Sequence, residues 1–207
     1  MTPESRAKPE TKEPSTRDRL LEVGAQAISD LSFNSCGLAE ILRRAGVPKG
    51  SFYHYFESKE DFGVALIERE SAEYVECMRP LVEDHARSPL ERLRAVFEEG
   101  RRHCIEHGPA RRCLIPKLAL ETAQLSEPVH AAVKQAYDHW SAQLVQIIRE
   151  AQERREISRR HDPERLAGIL VMLWEGATIR MQIDRSLQPL DDFLAFVFDS
   201  LLGDPNS

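Results

Sequence analysis

The spacing of apolar residues predicts helices along almost the whole chain. Apolar residues recur every three or four positions, as on one face of an α-helix, and runs that alternate apolar and polar residues are nearly absent. Glycine and proline separate the periodic segments. The pattern predicts an all-α protein, with helices over residues 16–31, a short segment between Ser35 and Gly46, 48–55, 59–78, 89–107, 109–125, 128–154, 163–184 and 190–202.

The second and third predicted helices are short and are joined by a tight turn. Asn34 and Ser35 offer an N-cap for the second helix, whose apolar stripe runs over residues 38–42. Gly46 lies where that helix has to stop and turn, and Pro48 can open the next one. Two short helices joined in this way form a helix-turn-helix, whose second helix enters the major groove of DNA.

The third predicted helix has one apolar and one polar face. Phe52 and Phe56 are four residues apart and are expected to face a small core. The other face carries groups that suit phosphates or base edges, and Tyr55 is expected to divide between packing and phosphate contact. Lys59 is expected to hold a phosphate beside the first amides of the following helix. The candidate DNA contacts are Ser35, Lys49, Gly50, Ser51, Tyr53, His54, Tyr55 and Lys59. Taken singly, the same residues also suit a plain bundle, with aromatic side chains in the core and Lys49 in solvent.

The distribution of charge changes what the net charge implies. A formal charge of −6 would ordinarily argue against nucleic-acid binding, which relies on lysine and arginine. Residues 1–60 carry nine Lys/Arg and nine Asp/Glu, whereas residues 61–207 carry nineteen and twenty-five. A locally neutral N-terminal module on an acidic body is typical of a protein that binds DNA through one end.

Composition also bears on the compartment. Residues 1–14 are polar and proline-containing, so we expect a disordered arm and no secretory signal. No apolar run approaches the roughly 20 residues that cross a bilayer, which favours a cytoplasmic protein without membrane contact. The four cysteines form no C-x-x-C pair and are expected to be free thiols.

The run AGVPKGSFYHYFESK, residues 45–59, resembles the signature AGV-x-KG-x-x-Y-x-YF-x-x-K of the TetR family at every fixed position. The resemblance implies a DNA-binding domain over residues 15–58 and an effector-binding and dimerisation domain over residues 59–207. It also implies a homodimer on a palindromic operator, joined through the last two helices, about 163–184 and 190–202. The apolar residues expected to serve this association are Leu166, Ile169, Leu170, Leu173, Leu194, Val197, Phe198 and Leu201.

A second motif suggests what the larger domain senses. The segment RCLIPKLALE, residues 112–121, resembles the GCLIGNLAxE segment of a TetR branch that represses N-ethylmaleimide reduction or acrylate metabolism. In that branch the cysteine is implicated in sensing electrophiles or oxidants. This chain has Arg112 for the first glycine and Pro116-Lys117 for Gly-Asn. Cationic neighbours lower the pKa of a thiol, so Arg112 and Lys117 favour the thiolate of Cys113. The alternative is that Cys113 is a small buried apolar residue.

Large apolar residues of the bundle are candidates for an effector cavity, although such positions also suit plain core packing. The candidates are Tyr74, Met78, Trp140 and Trp174, with Tyr137, Met172 and Met181 as further members. His103 and His107 can share a helix face, but no clear third ligand accompanies them, so we expect neither a metal site nor a cofactor.

The leading hypothesis is a DNA-binding repressor that a small-molecule effector releases from its operator, the effector being an electrophile or an acrylate-like compound sensed near Cys113. An enzyme is disfavoured because the sequence lacks a nucleophile-base pattern, a phosphate loop and a paired Glu-x-x-His set. An architectural DNA-binding protein without effector response remains the alternative.

Overall fold

The computed structural model describes residues 15–107, 114–122 and 126–203, and these residues are helical with short connections. The all-α prediction is confirmed. The helices are α1 (Thr16–Leu31), α2 (Leu38–Ala45), α3 (Lys49–Tyr55), α4 (Lys59–Val82), α5 (Pro89–His107), α6 (Leu114–Thr122), α7 (Glu127–Glu153), α8 (Pro163–Asp184) and α9 (Gln188–Ala195), and a π-helical segment (Phe196–Leu201) follows α9.

Local capping explains where several helices begin and end. The Ser15 hydroxyl accepts a hydrogen bond from the backbone N–H of Asp18, and the Ser58 hydroxyl accepts one from Asp61. Gly46 ends α2 in the left-handed region, with a φ of 62°, where a side chain is disfavoured. These ends could be read from the sequence because they depend on residues three or four apart.

Two predicted boundaries are wrong. The N-cap of α2 is Gly37 and not Asn34 or Ser35, because the helix begins only at Leu38. Asn34 is held instead to α6, where its backbone N–H donates to the Glu121 carboxylate at 2.9 Å. The α4 helix continues through Pro80 to Val82, four residues past the predicted end. A proline this close to the end of a helix removes little of the hydrogen-bond ladder, and burial of Val82 stabilises the extra turn.

Among the later helices, the predicted 163–184 agrees with α8 in both bounds, whereas the last predicted helix differs. Both ends of the predicted helix 109–125 lie outside the described residues, and α6 (Leu114–Thr122) falls within its range. The predicted helix 190–202 begins earlier, at Gln188, with Pro189 in its first turn. Its second half is a π-helix, which the spacing of apolar residues alone does not distinguish from an α-helix.

The first core lies under the helix-turn-helix. It is built from α1, α2, α3 and the first half of α4, and its members include Leu20, Ile28, Ile41, Phe52, Phe62 and Leu66. The α1 and α4 helices approach closely at Gly24, where an added Cβ would lie 2.2 Å from the Phe62 ring. The same core continues into Leu118 of α6 and Val129 of α7, so the N-terminal helices pack directly on the larger domain.

The second core joins α4, α5, α7, α8, α9 and the π-helical segment. Its centre is aromatic: the Phe97 ring lies 5.3 Å from Trp174 and 4.9 Å from Phe193, measured between centroids. At its edge, the buried guanidinium of Arg92 pairs with Glu150 of α7 and donates to the Val82 carbonyl at 2.7 Å. The hydrogen bond from Arg92 lowers the pKa of Glu150. The ion pair thus joins α5 to α7 and to the end of α4.

The α8 helix has the length and the mean hydropathy, 1.3, that a bilayer span requires, and it is the one such helix within the described residues. Glu175 and Arg180 interrupt its sequence, so it is not a continuous apolar run of roughly 20 residues. A packed helix of a soluble protein passes the same test. Trp174 and Leu170 of α8 are buried against the second core, so packing between helices accounts for much of this apolar character.

Candidate DNA interface and effector cavity

The α3 helix separates its aromatic residues between the core and the surface. Phe52 and Phe56 are buried and lie 5.2 Å apart, ring centroid to centroid. The opposite face is exposed, including 53% of Tyr53 and 38% of Tyr55, and Ser51 is half-buried. The remaining exposed candidates on this helix are Lys49, Gly50 and His54. The helix therefore presents the donors and hydroxyl groups that suit DNA, on an element fixed from behind by two phenylalanines.

The basic residues beside α3 differ in their pairing. Arg43 and Arg44 of α2 both pair with Glu40, at 2.8 and 2.7 Å, and Arg44 also reaches Asp30 of α1 at 2.6 Å. Hydrogen bonds from both arginines lower the pKa of Glu40 to about 2, so this carboxylate stays ionised. Lys49 has no ion pair among the described residues. Lys49 therefore presents a positive charge on this surface that Glu40 and Asp30 do not pair with.

Lys59 is not placed as predicted. Its ammonium group donates to the carbonyl of Phe33 and lies 4.5 Å from the centre of the Phe33 ring. Partial burial lowers the pKa of Lys59. The expected phosphate contact is corrected to a contact inside the protein, which anchors the α1–α2 connection. Ser35, in the same connection, is exposed.

A cavity of about 310 Å³ lies between α4, α5, α6, α7 and α8. Tyr74, Trp140 and Trp174, which the sequence suggested as cavity residues, line it together with Tyr137. Met78 is not among the lining residues and is fully buried in the second core. The spacing of α4 residues does not decide between the two positions, because Tyr74 and Met78 are about one turn apart, and the neighbouring Cys77 lines the cavity although Met78 does not.

The polar wall of the cavity was not found from the sequence. This wall contains three carboxylates, those of Glu70, Glu73 and Glu175. It also contains the imidazole of His103 and the exposed thiol of Cys77. Three of these residues lie on α4 at positions 70, 73 and 77, which is the spacing of one helix face. That spacing is the one signal that could have revealed them.

Two connections join the cavity to the helix-turn-helix. Arg69 of α4 pairs with the cavity residue Glu73 at 2.6 Å and with Glu22 of α1 at 2.6 Å. On α6, Ile115 and Pro116 line the cavity. On the other face of α6, the Lys117 ammonium donates to the Ser29 carbonyl at 2.7 Å, and Glu121 accepts from the Asn34 backbone N–H.

The Lys117 ammonium is thus directed to the end of α1, and its predicted role beside Cys113 stays a prediction. Cys113 itself lies outside the described residues. Of the described thiols, Cys36 and Cys104 are buried, and desolvation raises the pKa of Cys36. Within the described residues, no group of three or more histidine, cysteine or carboxylate side chains is arranged to hold a metal ion.

An exposed apolar face runs along α8 and onto the π-helical segment. Its members follow helical spacing and are Ile169, Met172, Leu173, Ile179, Ile183 and Phe196. Met172 and Ile183 are each 66% exposed. A row of this length is unusual for an isolated surface and is typical of an interface.

The predicted set for this face is wrong at four positions. Leu166, Leu170, Val197 and Phe198 are buried within their own subunit, whereas Ile169 and Leu173 are exposed as expected. Apolar spacing shows that α8 has two apolar faces but does not tell which one is covered by the second core.

Two family models match the chain. The model of bacterial regulatory proteins of the tetR family matches residues 20–66, and the model of the tetracyclin repressor-like C-terminal domain matches residues 89–197. The chain belongs to the TetR family. TetR-family proteins are ligand-responsive, DNA-binding transcriptional regulators and not enzymes, and they act as dimers on DNA operators.

Relatives within the TetR family support the predicted branch. The HTH-type transcriptional repressor NemR of Escherichia coli is 36% identical over 182 residues, covering 88% of this chain and 92% of NemR. The transcriptional regulator AcuR of Cereibacter sphaeroides is 36% identical over 174 residues, covering 84% of this chain and 80% of AcuR. A crystal structure of the reduced form of E. coli NemR has a TM-score of 0.80 at 36% identity, covering 89% of this chain and 96% of that one.

Proposed function

We propose that this TetR-family regulator is a cytoplasmic repressor that binds a palindromic operator as a homodimer and leaves it when an effector binds. The observation that carries the proposal is the α3 helix. Its phenylalanines are buried, and its exposed face presents Lys49, Tyr53 and His54. A recognition helix in the major groove needs this division between packing and polar groups.

The homodimer would form through α8 and the π-helical segment. The exposed apolar face on these elements supports self-association, since two copies would cover Met172, Ile183 and Phe196. A two-fold interface places two identical α3 helices on one side of the dimer. Two such helices read half-sites of opposite orientation, which is why we expect a palindromic operator.

The effector would act through α6 and Arg69. A molecule in the cavity contacts the face of α6 that carries Ile115 and Pro116 and can displace the opposite attachments, at Lys117 and Glu121, to the helix-turn-helix. An effector that binds the displaced arrangement more tightly than the attached one lowers operator affinity. The largest decrease equals the ratio of the effector's affinities for the displaced and the attached arrangement.

Thiol chemistry at Cys113 is proposed as the response to electrophiles. Leu114 lines the cavity, and Cys113 is the residue directly before it in the chain. A compound in the cavity can therefore contact the immediate sequence neighbour of Cys113. In this step the thiolate sulfur adds to the electron-poor carbon of an alkene such as N-ethylmaleimide. The carbon–carbon π bond breaks, and the neighbouring carbon takes a proton from water.

An electrophoretic mobility-shift assay on DNA upstream of the gene tests the proposal. We expect wild-type protein to bind one fragment specifically, N-ethylmaleimide to release it, and C113S to remain bound after the same treatment. The matched control is C77S, because Cys77 is an exposed thiol at the same cavity. Equal release of wild type and C113S contradicts the thiol mechanism. Binding that is steep in salt but blind to sequence indicates an architectural protein instead.

A further inference from the structure

We propose that an apolar groove between α2 and α3 reads the C5-methyl group of a thymine in each half of the operator. This inference rests on the proposed function, in which α3 enters the major groove of a palindromic operator. It adds the chemical feature of the bases that the protein recognises, and it makes Ala39 of α2 a residue that determines specificity.

The groove is apolar along most of its length. Its apolar lining consists of Leu38, Ala39 and Leu42 of α2 with Val47 and Pro48 of the turn. Leu42 and Val47 are almost completely buried, with 8% and 6% of their surface exposed, and form the floor. Ala39 and Pro48 are exposed at the sides. An apolar surface that stays open to water in this way is stabilised when another apolar group covers it.

Two glycines keep the groove open. Gly46 lines it, and a Cβ added at this position would meet no atom within 4 Å. A Cβ added at Gly50, on the exposed face of α3, would also meet none. A base edge can therefore approach the turn and the start of α3 without meeting a side chain at these two positions.

The rim of the groove is continuous with the candidate DNA-binding face. Lys49 and Tyr53 belong both to the exposed face of α3 and to the lining of the groove. Arg43 adds a second cation, and its side chain is 71% exposed although it pairs with Glu40 at 2.8 Å. The lining contains no carboxylate in the part of the chain that the structure describes. A rim with two cations and no acidic group favours DNA as the occupant.

Thymine is the base that suits an apolar groove. Of the four base edges in the major groove, only that of thymine carries an apolar group, its C5-methyl, and alanine is one of the residues that contact it. Amino and carbonyl groups of the other bases would lose hydrogen bonds to water against Leu38 and Ala39. The groove therefore favours thymine, and it favours thymine over uracil by the methyl group alone.

Uracil substitution in the operator tests the contact, because uracil differs from thymine only by lacking the methyl. The operator is selected in vitro from a random duplex library with the full chain. Each thymine is then replaced in turn, at the equivalent positions of both half-sites. We expect one such pair of substitutions to weaken binding about fifteenfold by fluorescence anisotropy, which is about fourfold for each methyl that is no longer buried. The dependence of affinity on salt should not change, since the phosphates remain. The inference is wrong if every uracil operator binds as tightly as the thymine operator.

The variant A39S assigns the methyl to the groove. Serine is close to alanine in size, but its hydroxyl would replace part of the apolar wall. We expect the ratio of affinities for the thymine and the uracil operator to fall from about fifteen to below about four in A39S. The control is A131S, the same change at an exposed alanine of α7, which should keep the wild-type ratio. An unchanged ratio in A39S would place the methyl contact elsewhere and overturn the inference.

The selection experiment separates this inference from the proposed function. If the protein selects a palindrome but binds its uracil forms equally well, the inference fails and the proposed function stands. If it selects a single half-site whose uracil form binds more weakly in wild type but not in A39S, the groove contact stands and the proposed homodimer on a palindrome fails. Selection of no preferred sequence contradicts both.

Discussion

Replacing Lys49 with glutamine tests whether α3 contacts DNA phosphate. Lys49 is exposed at the start of α3 and has no ion pair among the described residues, whereas Arg43 and Arg44 are paired with Glu40. Lys59 resembles Lys49 in sequence context, but its ammonium donates to the Phe33 carbonyl. The structure therefore predicts opposite behaviour for two lysines ten positions apart in the same motif.

The size of the effect follows from counterion release. Each phosphate neutralised on B-DNA contributes about 0.9 to the slope of log affinity against log salt concentration. A homodimer presents two copies of Lys49, so K49Q should reduce the slope by about 1.8. Between about 50 and 200 mM salt, wild type should then lose about twelvefold more affinity than the variant.

The assay is fluorescence anisotropy with a labelled operator over a series of salt concentrations, with the same fragment for every variant. We expect K59Q to keep the wild-type slope and to lose about 1 kcal/mol of stability, because removing its ammonium leaves the Phe33 carbonyl without that donor. Thermal unfolding measures the second effect, a decrease of about 3 °C. A reduced slope in K59Q together with an unchanged slope in K49Q would refute the assignment of α3 as the phosphate-binding face.

Three further substitutions test other parts of the structure. E121A removes the hydrogen bond from the Asn34 backbone N–H to the Glu121 carboxylate, which joins the α1–α2 connection to α6. Operator affinity should change little, whereas the half-effective concentration of the effector for release should rise about fivefold. M172E should raise the dimer dissociation constant at least about a hundredfold by sedimentation, whereas L120E, on an 84%-exposed apolar residue of α6, should not. E150Q removes an ion pair with buried Arg92. The pKa of Glu150 in the folded protein lies below its ordinary 4.5, so E150Q should be less stable than wild type by the full amount at neutral pH. This loss of stability should shrink as the pH falls below 4.5 and vanish once the folded carboxylate is protonated. A loss that persists in acid would contradict the pairing.

The helix-turn-helix could be predicted in detail because its information is local. Ser58 caps α4 through a residue three positions on, and Gly46 ends α2 by its own conformation. The burial of Phe52 and Phe56 follows from their spacing on one helix. Lys59 escaped the prediction because Phe33, which binds it, is twenty-six positions away and meets it only in the folded chain.

The cavity could be predicted only in part for the same reason. Aromatic residues such as Tyr74 and Trp140 stand out by size, but the sequence does not distinguish a cavity wall from a packed core. Met78 was predicted to line the cavity and is instead buried in the second core. The carboxylates Glu70 and Glu175 resemble ordinary surface residues until α4 and α8 bring them together. Which apolar face of α8 is covered likewise depends on α7 and α9.

The two faces of α6 have a consequence for how this protein can diversify. Ile115 and Pro116 face the cavity, while Lys117 and Glu121 hold the DNA-binding helices. In the proposed mechanism, the residues that recognise the effector and those that transmit its binding are therefore different residues on one short helix. Substitutions on the cavity side can change which compound is recognised while the attachment to α1 is inherited unaltered. A designer of biosensors can therefore randomise the cavity wall and keep the transmission side fixed, and natural descendants of this chain can acquire new inducers by the same route.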